Sequence, residues 1–180
     1  MTTQVYRGTM SSPLGAITVF ATDEGVLAVT FASEPEGRHG VSEEVSEDAT
    51  HSLVAATIEQ LKEYFGGERT GFDLPLSPRG TEFQQLAWDA LCEIPFGETR
   101  SYGQQARAID RPSAVRAIGA ANGANPIAII VPCHRVIGSD GKLTGYAGGL
   151  HIKKALLEHE GVLLEPAQLP FGEANSSAHA

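Results

Sequence analysis

The sequence predicts an α+β protein: a small N-terminal β-sheet with one helix, followed by a mostly helical C-terminal region containing a helix-turn-helix. Three observations predict it. Three short apolar segments near the N-terminus are rich in β-branched residues and separated by turn residues, the pattern of strands. From residue 83 onward the apolar residues recur mainly at helical spacing. Between the two regimes lies Leu74-Pro75-Leu76-Ser77-Pro78-Arg79-Gly80, whose prolines and glycine favour a boundary. The expected organisation is a first domain over 1–76, a second over 77–165 and a tail over 166–180.

The strands are Val5–Thr9, Ala16–Ala21 and Val26–Phe31, a meander whose turns come from Ser11–Gly15 and Thr22–Gly25. Residues 33–50 carry Glu34, Glu36, Glu43, Glu44, Glu47 and Asp48 against Arg38, which reads as a solvated acidic loop. His51–Phe65 has helical spacing, with Leu53, Ile58, Leu61 and Phe65 as its apolar stripe, and Gly66-Gly67 ends it.

In the second region Phe83–Glu93 reads as a helix with Phe83, Leu86, Ala87, Ala90 and Leu91 inward, and Thr81 is a candidate cap. Cys92, near its end, reads as a structural thiol. Ile94-Pro95-Phe96-Gly97 breaks this helix. Ser101 can cap a second helix to Ile109. Asp110-Arg111-Pro112 turns the chain, and Ser113 can cap a third helix reaching about Asn122. Two short helices joined by a tight turn match a helix-turn-helix. The third helix is rich in small residues, Ala114, Ala117, Gly119, Ala120 and Ala121. These allow either close packing on a core element or close approach to a nucleic-acid groove. Val136-Ile137, Gly138–Gly141 and Lys142–Thr144 read as a hairpin. Gly145–Gly149 is a flexible loop bearing Tyr146. Ile152–His159 is a last helix with Ile152, Ala155, Leu156 and His159 on one side. The tail is expected to be disordered or weakly docked.

Of 180 residues 42% are hydrophobic, enough for a packed core. No apolar run approaches the roughly 18 residues of a membrane span, and the N-terminus lacks the apolar core of a signal peptide. Cys92 and Cys133 lie far apart with no CxxC spacing, which argues against a disulfide framework or a cysteine-rich zinc site and fits a reducing cytoplasm. The net charge is −9, which on its own disfavours a nucleic-acid partner. Its distribution reverses that inference. Residues 97–154 hold eight basic residues (Arg100, Arg107, Arg111, Arg116, Arg135, Lys142, Lys153, Lys154) and three acidic ones, while the rest of the chain holds five basic and nineteen acidic. A segment of +5 inside a remainder of −14 fits a phosphate-facing surface.

The chemistry centres on Asn125–Val136. Five apolar residues, Ile127–Val131, read as a short buried strand or extended segment, and Pro132 ends its pairing. Cys133 then sits where a buried element stops. A free cysteine has a pKa of roughly 8.5 and needs a base or a positive charge to react well at neutral pH. By itself Cys133 also fits a small core residue, and adjacent strand residues such as Cys133 and His134 point to opposite faces.

Pro132-Cys133-His134-Arg135-Val136 resembles the active-site signature of the O6-alkylguanine-DNA alkyltransferases. The resemblance continues through Gly145-Tyr146-Ala147-Gly148-Gly149 and Leu156-Leu157-Glu158-His159-Glu160-Gly161. Upstream it takes in Phe83–Trp88, Ile94–Thr99 and Arg116–Gly119, so the blocks cover about residues 80–161 in order.

The resemblance implies a ribonuclease-H-like N-terminal domain and a C-terminal domain that repairs O6-alkylguanine, with O4-alkylthymine as a second substrate. It implies that Cys133 accepts the alkyl group, that His134 activates it through a bound water, that Glu160 orients His134, and that Asn125 ties the turns around the site. Tyr102 would contact the target guanine and help its phosphate rotate. Arg116 would fill the space left by the extruded base, with Ala117, Gly119 and Ala120 allowing close contact in the minor groove. Val136 would offer its carbonyl to the guanine amino group, Tyr146 would wall the pocket, and the Ala147 backbone amide would meet O6 where some members have serine. The product is a thioether, so one turnover per molecule is implied, with no cofactor. The expected partner is duplex DNA, bound by a monomer in the cytoplasm, with cooperative assembly left open. Two departures stand out. Ala124 occupies a position where a basic or polar residue is expected, and the N-terminal segment lacks the Cys/His set that binds zinc in some members, so no metal is expected. Two other readings remain at this point, a lesion-binding module without transfer and a cysteine hydrolase using Cys133 and His134.

Overall fold

A computed structural model describes residues 3–35, 37, 40–41 and 43–164. The tail expected over 166–180 lies outside the described residues. These residues form two compact units, one of residues 3–81 with Ala124–Val131 and one of Glu82–Gly123 with 132–164. The division differs from a single cut after residue 76, because 124–131 joins the first unit.

The first unit is a four-stranded sheet with one helix. β1 (Val5–Ser12), β2 (Gly15–Ala21) and β3 (Val26–Phe31) form the expected antiparallel meander. β4 (Val45–Glu47) pairs parallel with β1, giving the order β3-β2-β1-β4. β4 corrects the reading of 33–50 as a solvated loop: Val41 and Val45 pack on the cluster of Val5, Phe20, Leu27 and Ala28. The acidic side chains had masked that short apolar alternation. α1 (Ser52–Phe65) buries Val54, Thr57, Leu61 and Tyr64, a stripe rotated from the expected one; only Leu61 is shared. Thr57 joins the buried face because its hydroxyl donates to the Leu53 carbonyl at 2.6 Å, removing the cost of a lone buried donor.

The segment Ile127–Val131 is buried as expected but is not a strand. Ile127 alone forms a parallel bridge to Val29, through Val29 N donating to Pro126 O (2.9 Å) and Ala128 N donating to Val29 O (3.0 Å). The chain then coils: Ile129 has φ +71°, a left-handed conformation that costs a β-branched residue on the order of 1–3 kcal/mol. The Asn125 side chain holds this turn, accepting from Ile127 N (3.0 Å) and donating to Val131 O (2.8 Å).

The second unit is built on helices. α2 (Glu82–Cys92) buries Ala87, Trp88 and Leu91. Leu86 is exposed rather than inward, and Trp88 takes the buried side, its indole N–H donating to Ala121 O at 2.8 Å. α3 (Tyr102–Ala108) begins at a capping box: Ser101 Oγ accepts from Gln104 N, and the Gln104 side chain accepts from Ser101 N. Asp110, in the left-handed region at φ +57°, turns the chain toward α4 (Val115–Gly123). Buried Gln105 and Asn122 exchange both amide hydrogen bonds, at 2.9 and 2.7 Å, and lock this helix pair. β5 (Arg100–Ser101) pairs parallel with β6 (Val136–Ile137), which brings the start of α3 beside the residues following Cys133. The expected hairpin is replaced by a tight turn. Gly138 N donates to Lys142 O, but β6 takes β5 as its partner and 142–144 is not a strand. α5 (Leu150–His159) buries Ile152, Lys153, Leu156 and Leu157, whereas Ala155 and His159 are half-buried. No helix among the described residues is long and apolar enough to cross a membrane.

Candidate active site

Cys133, His134 and Arg135 form one turn of 3₁₀ helix between Pro132 and β6. Successive residues of such a turn point about 120° apart, not the opposite ways of a strand. Cys133 is half-buried and His134 fully buried.

Glu160, the residue that closes α5, meets this turn in the interior. Its Oε2 lies 2.7 Å from His134 Nε2. Arg135 donates through Nε to Oε1 (2.7 Å) and through Nη2 to Oε2 (3.1 Å), and through Nη1 to Ile94 O (2.6 Å). The carboxylate is thus shared by two neighbours of the cysteine. Burial by itself would raise the Glu160 carboxyl, but the hydrogen bonds and charges of His134 and Arg135 hold it well below the usual carboxylate range. Burial pushes His134 below the ordinary imidazole value, against the pull of Glu160, so the ring is neutral at pH 7. An ionised carboxylate only accepts, so Nε2 carries the proton and Nδ1 the lone pair. His134 Nδ1 is buried with no protein hydrogen-bond partner among the described residues.

These shifts set an acid sensitivity. Between its lowered folded value and the unfolded value of about 6.5, His134 is protonated only in the unfolded chain, so stability falls as pH drops through that window. Glu160 contributes stability present above an unfolded value of about 4.3 and lost as pH falls further. Melting temperature should therefore decline from about pH 7 downward and steepen below about pH 4.5. A flat profile from neutrality to pH 5 would contradict the buried neutral imidazole.

The other candidate residues are placed as follows. Tyr102 opens α3, and its hydroxyl and the Thr144 hydroxyl lie 3.2 Å apart, with Thr144 O also 3.2 Å from the Tyr102 hydroxyl. Arg116, Ala117 and Ala120 are exposed on α4 and Gly119 is half-buried, opposite the buried Ile118, Ala121 and Asn122. Tyr146 is half-buried and Ala147 exposed in the loop before α5. Val136 is buried, and its carbonyl accepts from Lys153 Nζ at 2.6 Å. Asn125 is described within the first unit, bracing the turn that runs up to Val131.

The basic surface needs correction. Arg135 and Lys153 are 6% and 0% exposed, so two of the eight cations counted there are interior. Arg100 also lies 3.6 Å from Glu98, and Lys154 4.0 Å from Glu158. The sequence places Arg135 and Lys153 only in the basic segment and gives neither a role at the site. For Lys153 a signal existed: it stands three residues before Leu156 and four before Leu157, on the buried stripe of α5. Cys92 is exposed, and partial desolvation with Asp89 and Glu93 nearby pushes its thiol up.

Residues 5–78 match the family model described as 6-O-methylguanine DNA methyltransferase, ribonuclease-like domain, and residues 82–162 match the one described as its DNA binding domain. The methylated-DNA–protein-cysteine methyltransferase of Methanosarcina acetivorans is 48% identical over 157 residues, 87% of this chain and 99% of its own. The chain belongs to the 6-O-methylguanine DNA methyltransferase family. A Mycobacterium tuberculosis relative of the same name is 48% identical over 161 residues, 87% of this chain and 92% of its own. Among solved structures, the O6-methylguanine methyltransferase of M. tuberculosis matches with a TM-score of 0.78 at 43% identity, over 93% of this chain and 96% of that one. A second M. tuberculosis structure, in complex with DNA, gives 0.79 at 46% identity, over 86% and 92%. The family's ribonuclease-like half corresponds in sequence to the sheet and α1, and its DNA binding half to α2–α5.

Proposed function

We propose that this chain repairs DNA by transferring an alkyl group from O6 of guanine, and from O4 of thymine, to Sγ of Cys133. In this reaction a sulfur–carbon bond forms as the carbon–oxygen bond breaks, and the base departs with its electron pair and takes up a proton. The carrying observation is the buried Glu160–His134 pair, 2.7 Å apart, whose histidine shares a 3₁₀ turn with a half-buried cysteine. His134 Nδ1, with its lone pair, would take the thiol proton through a bridging water. The thioether product has no leaving group that the site could expel, so each molecule acts once.

Duplex DNA is the proposed partner, met in the minor groove by α4 of a cytoplasmic monomer. A base inside a duplex can be reached only after extrusion. Arg116 would occupy the vacated space, its planar cation suited to stacking. Tyr102, Tyr146, the Ala147 amide and the second lone pair of the Val136 carbonyl would receive the base. The small residues of α4 support the groove reading over the packing one: Ala117 and Ala120 are exposed, and a Cβ at Gly119 would meet nothing within 4 Å. Gly119→Ala should therefore raise stability by roughly 0.5–1 kcal/mol, as expected in a helix interior, yet weaken binding to duplex DNA. Thermal melts and a binding titration on one sample check both signs; unchanged affinity would return Gly119 to a purely structural role.

The deciding experiment is incubation with a duplex carrying radiolabelled O6-methylguanine. Label on the peptide containing Cys133, at one equivalent, supports transfer. Retained binding without label would leave a lesion-binding module. Repeated turnover of a small ester would favour a hydrolase.

A further inference from the structure

Arg100 opens β5 and Arg107 lies in the last turn of α3, and both line one hollow of the second unit. Its volume is about 290 Å³, and Thr99, Ser101, Gln104 and Ser139 complete its polar wall. None of its lining residues is acidic, and none belongs to α4. Asp140, in the adjoining turn, keeps its carboxylate on Lys142 N at 3.0 Å. A neighbouring hollow shares Arg100, Gln104 and Arg107 but includes Glu93, so the carboxylate-free one is the better suited to an anion.

The wall has its acceptors engaged and its donors left over. Gln104 Oε1 accepts from Ser101 N at 2.8 Å, which leaves the Gln104 NH₂ without a protein acceptor among the described residues. Ser101 Oγ accepts from Gln104 N at 3.1 Å and keeps its hydroxyl proton to donate. Arg107 folds back along α3, its Nη1 3.6 Å from where a Cβ on Gly103 would stand, so the bare glycine gives the guanidinium its place. Arg100 Nη1 donates to Thr99 O at 3.0 Å and lies 3.6 Å from Glu98 Oε1. Both side chains of that pair are exposed, so water screens it and a stronger acceptor displaces it. We propose that this hollow is a phosphate subsite in which Arg100 and Arg107 together hold one backbone phosphodiester of the duplex, a contact separate from the α4 face. Its donors come from a strand, a helix and the 138–141 turn, which suits the tetrahedral oxygens of a phosphate better than a planar carboxylate. Guanidinium groups bind phosphate by paired N–H bonds. Tyr102 follows Ser101 directly, so the held phosphate lies on the strand beside the residue proposed to meet the guanine. Such a contact sets register and reads no sequence.

The inference rests on duplex DNA as the proposed partner and not on alkyl transfer, so an unmodified duplex serves as the probe. Affinity is measured over a series of salt concentrations. In the double variant Arg100→Gln, Arg107→Gln the slope of log K against log salt should fall by about one, the counterions of one phosphate, with affinity about tenfold lower at about 0.1 M salt. The double variant Arg100→Lys, Arg107→Lys keeps the charge and loses the fork, so its slope should stay while affinity falls. Lys62→Gln removes an exposed charge from α1 and should leave the slope unchanged. An unchanged slope in the glutamine variant, or an equal loss in Lys62→Gln, overturns the subsite. A second measurement needs no variant to fold. Inorganic phosphate, against chloride of equal ionic strength, should shift the arginine Nε–Hε NMR signals of Arg100 and Arg107 in the unmodified protein, and no shift overturns the subsite. A shift with phosphate but an unchanged duplex slope makes the hollow a free-anion pocket and overturns the duplex assignment. Label on Cys133 with unchanged slopes removes the subsite alone, whereas a lost slope in a chain that never takes label removes repair and leaves the subsite. No duplex binding by the unmodified chain removes both.

Discussion

Replacing Cys133 with alanine is expected to abolish alkyl transfer and to leave binding to a lesion-bearing duplex nearly unchanged. The substitution removes the sulfur and little else. The hydrogen bonds that join His134 and Arg135 to Glu160 do not pass through the thiol, and the exposed face of α4 is untouched. Stability should change by less than about 1 kcal/mol, since the side chain is small and half-buried. Cys92 is the poorer nucleophile: its thiol is pushed up by partial desolvation and by the charges of Asp89 and Glu93. Single-turnover assays with radiolabelled duplex, beside a binding titration, separate the two effects. Methyl transfer retained by Cys133→Ala, or label on Cys92, would remove the central assignment.

The division of labour between legible and illegible features follows from the range over which each is determined. α3 was readable because its start is local: Ser101 and Gln104 stand three apart and cap each other through bonds that close within four residues. The meander was readable for a similar reason, since alternation and turn residues are short-range. β4 was not, because three residues become a strand only when β1 lies alongside. Ile127–Val131 looked like a strand because apolar, β-branched composition reports burial, and burial was correct. Its coiled path depends on Asn125 bridging six residues and on a single pairing with Val29. At the site, resemblance located Cys133, His134 and Glu160, but composition assigned Arg135 and Lys153 to a basic surface. A charge count treats every cation as solvated, and only tertiary packing shows that Arg135 belongs to Glu160 and Lys153 to two carbonyls.

Glu160→Gln tests that packing most severely. The carboxylate accepts from the side-chain N–H groups His134 Nε2 and Arg135 Nε and Nη2, and at 3.4 Å from the Gly97 backbone N–H. An amide of the same shape offers one accepting oxygen and one donating NH₂. If its oxygen faces Arg135 Nε, its NH₂ faces His134, and the imidazole must accept at Nε2. The ring proton then moves to Nδ1, the atom assigned as base, and Nδ1 can no longer take the thiol proton. If the amide turns over, its NH₂ confronts Arg135 Nε and leaves the buried guanidinium short of an acceptor. Either arrangement also strips Arg135 of its counter-charge, and breaking a buried pair from one side costs about 3–5 kcal/mol. The expected result is a large loss of melting temperature together with transfer slowed far more than lesion binding. The acid-dependent loss of stability below about pH 4.5 should weaken as well, because the group responsible for it is gone. Temperature is the control: rates are compared well below the variant's own melting transition. Single-turnover rates equal to those of the unmodified protein would show that Glu160 serves Arg135 alone, and that His134 needs no carboxylate to act.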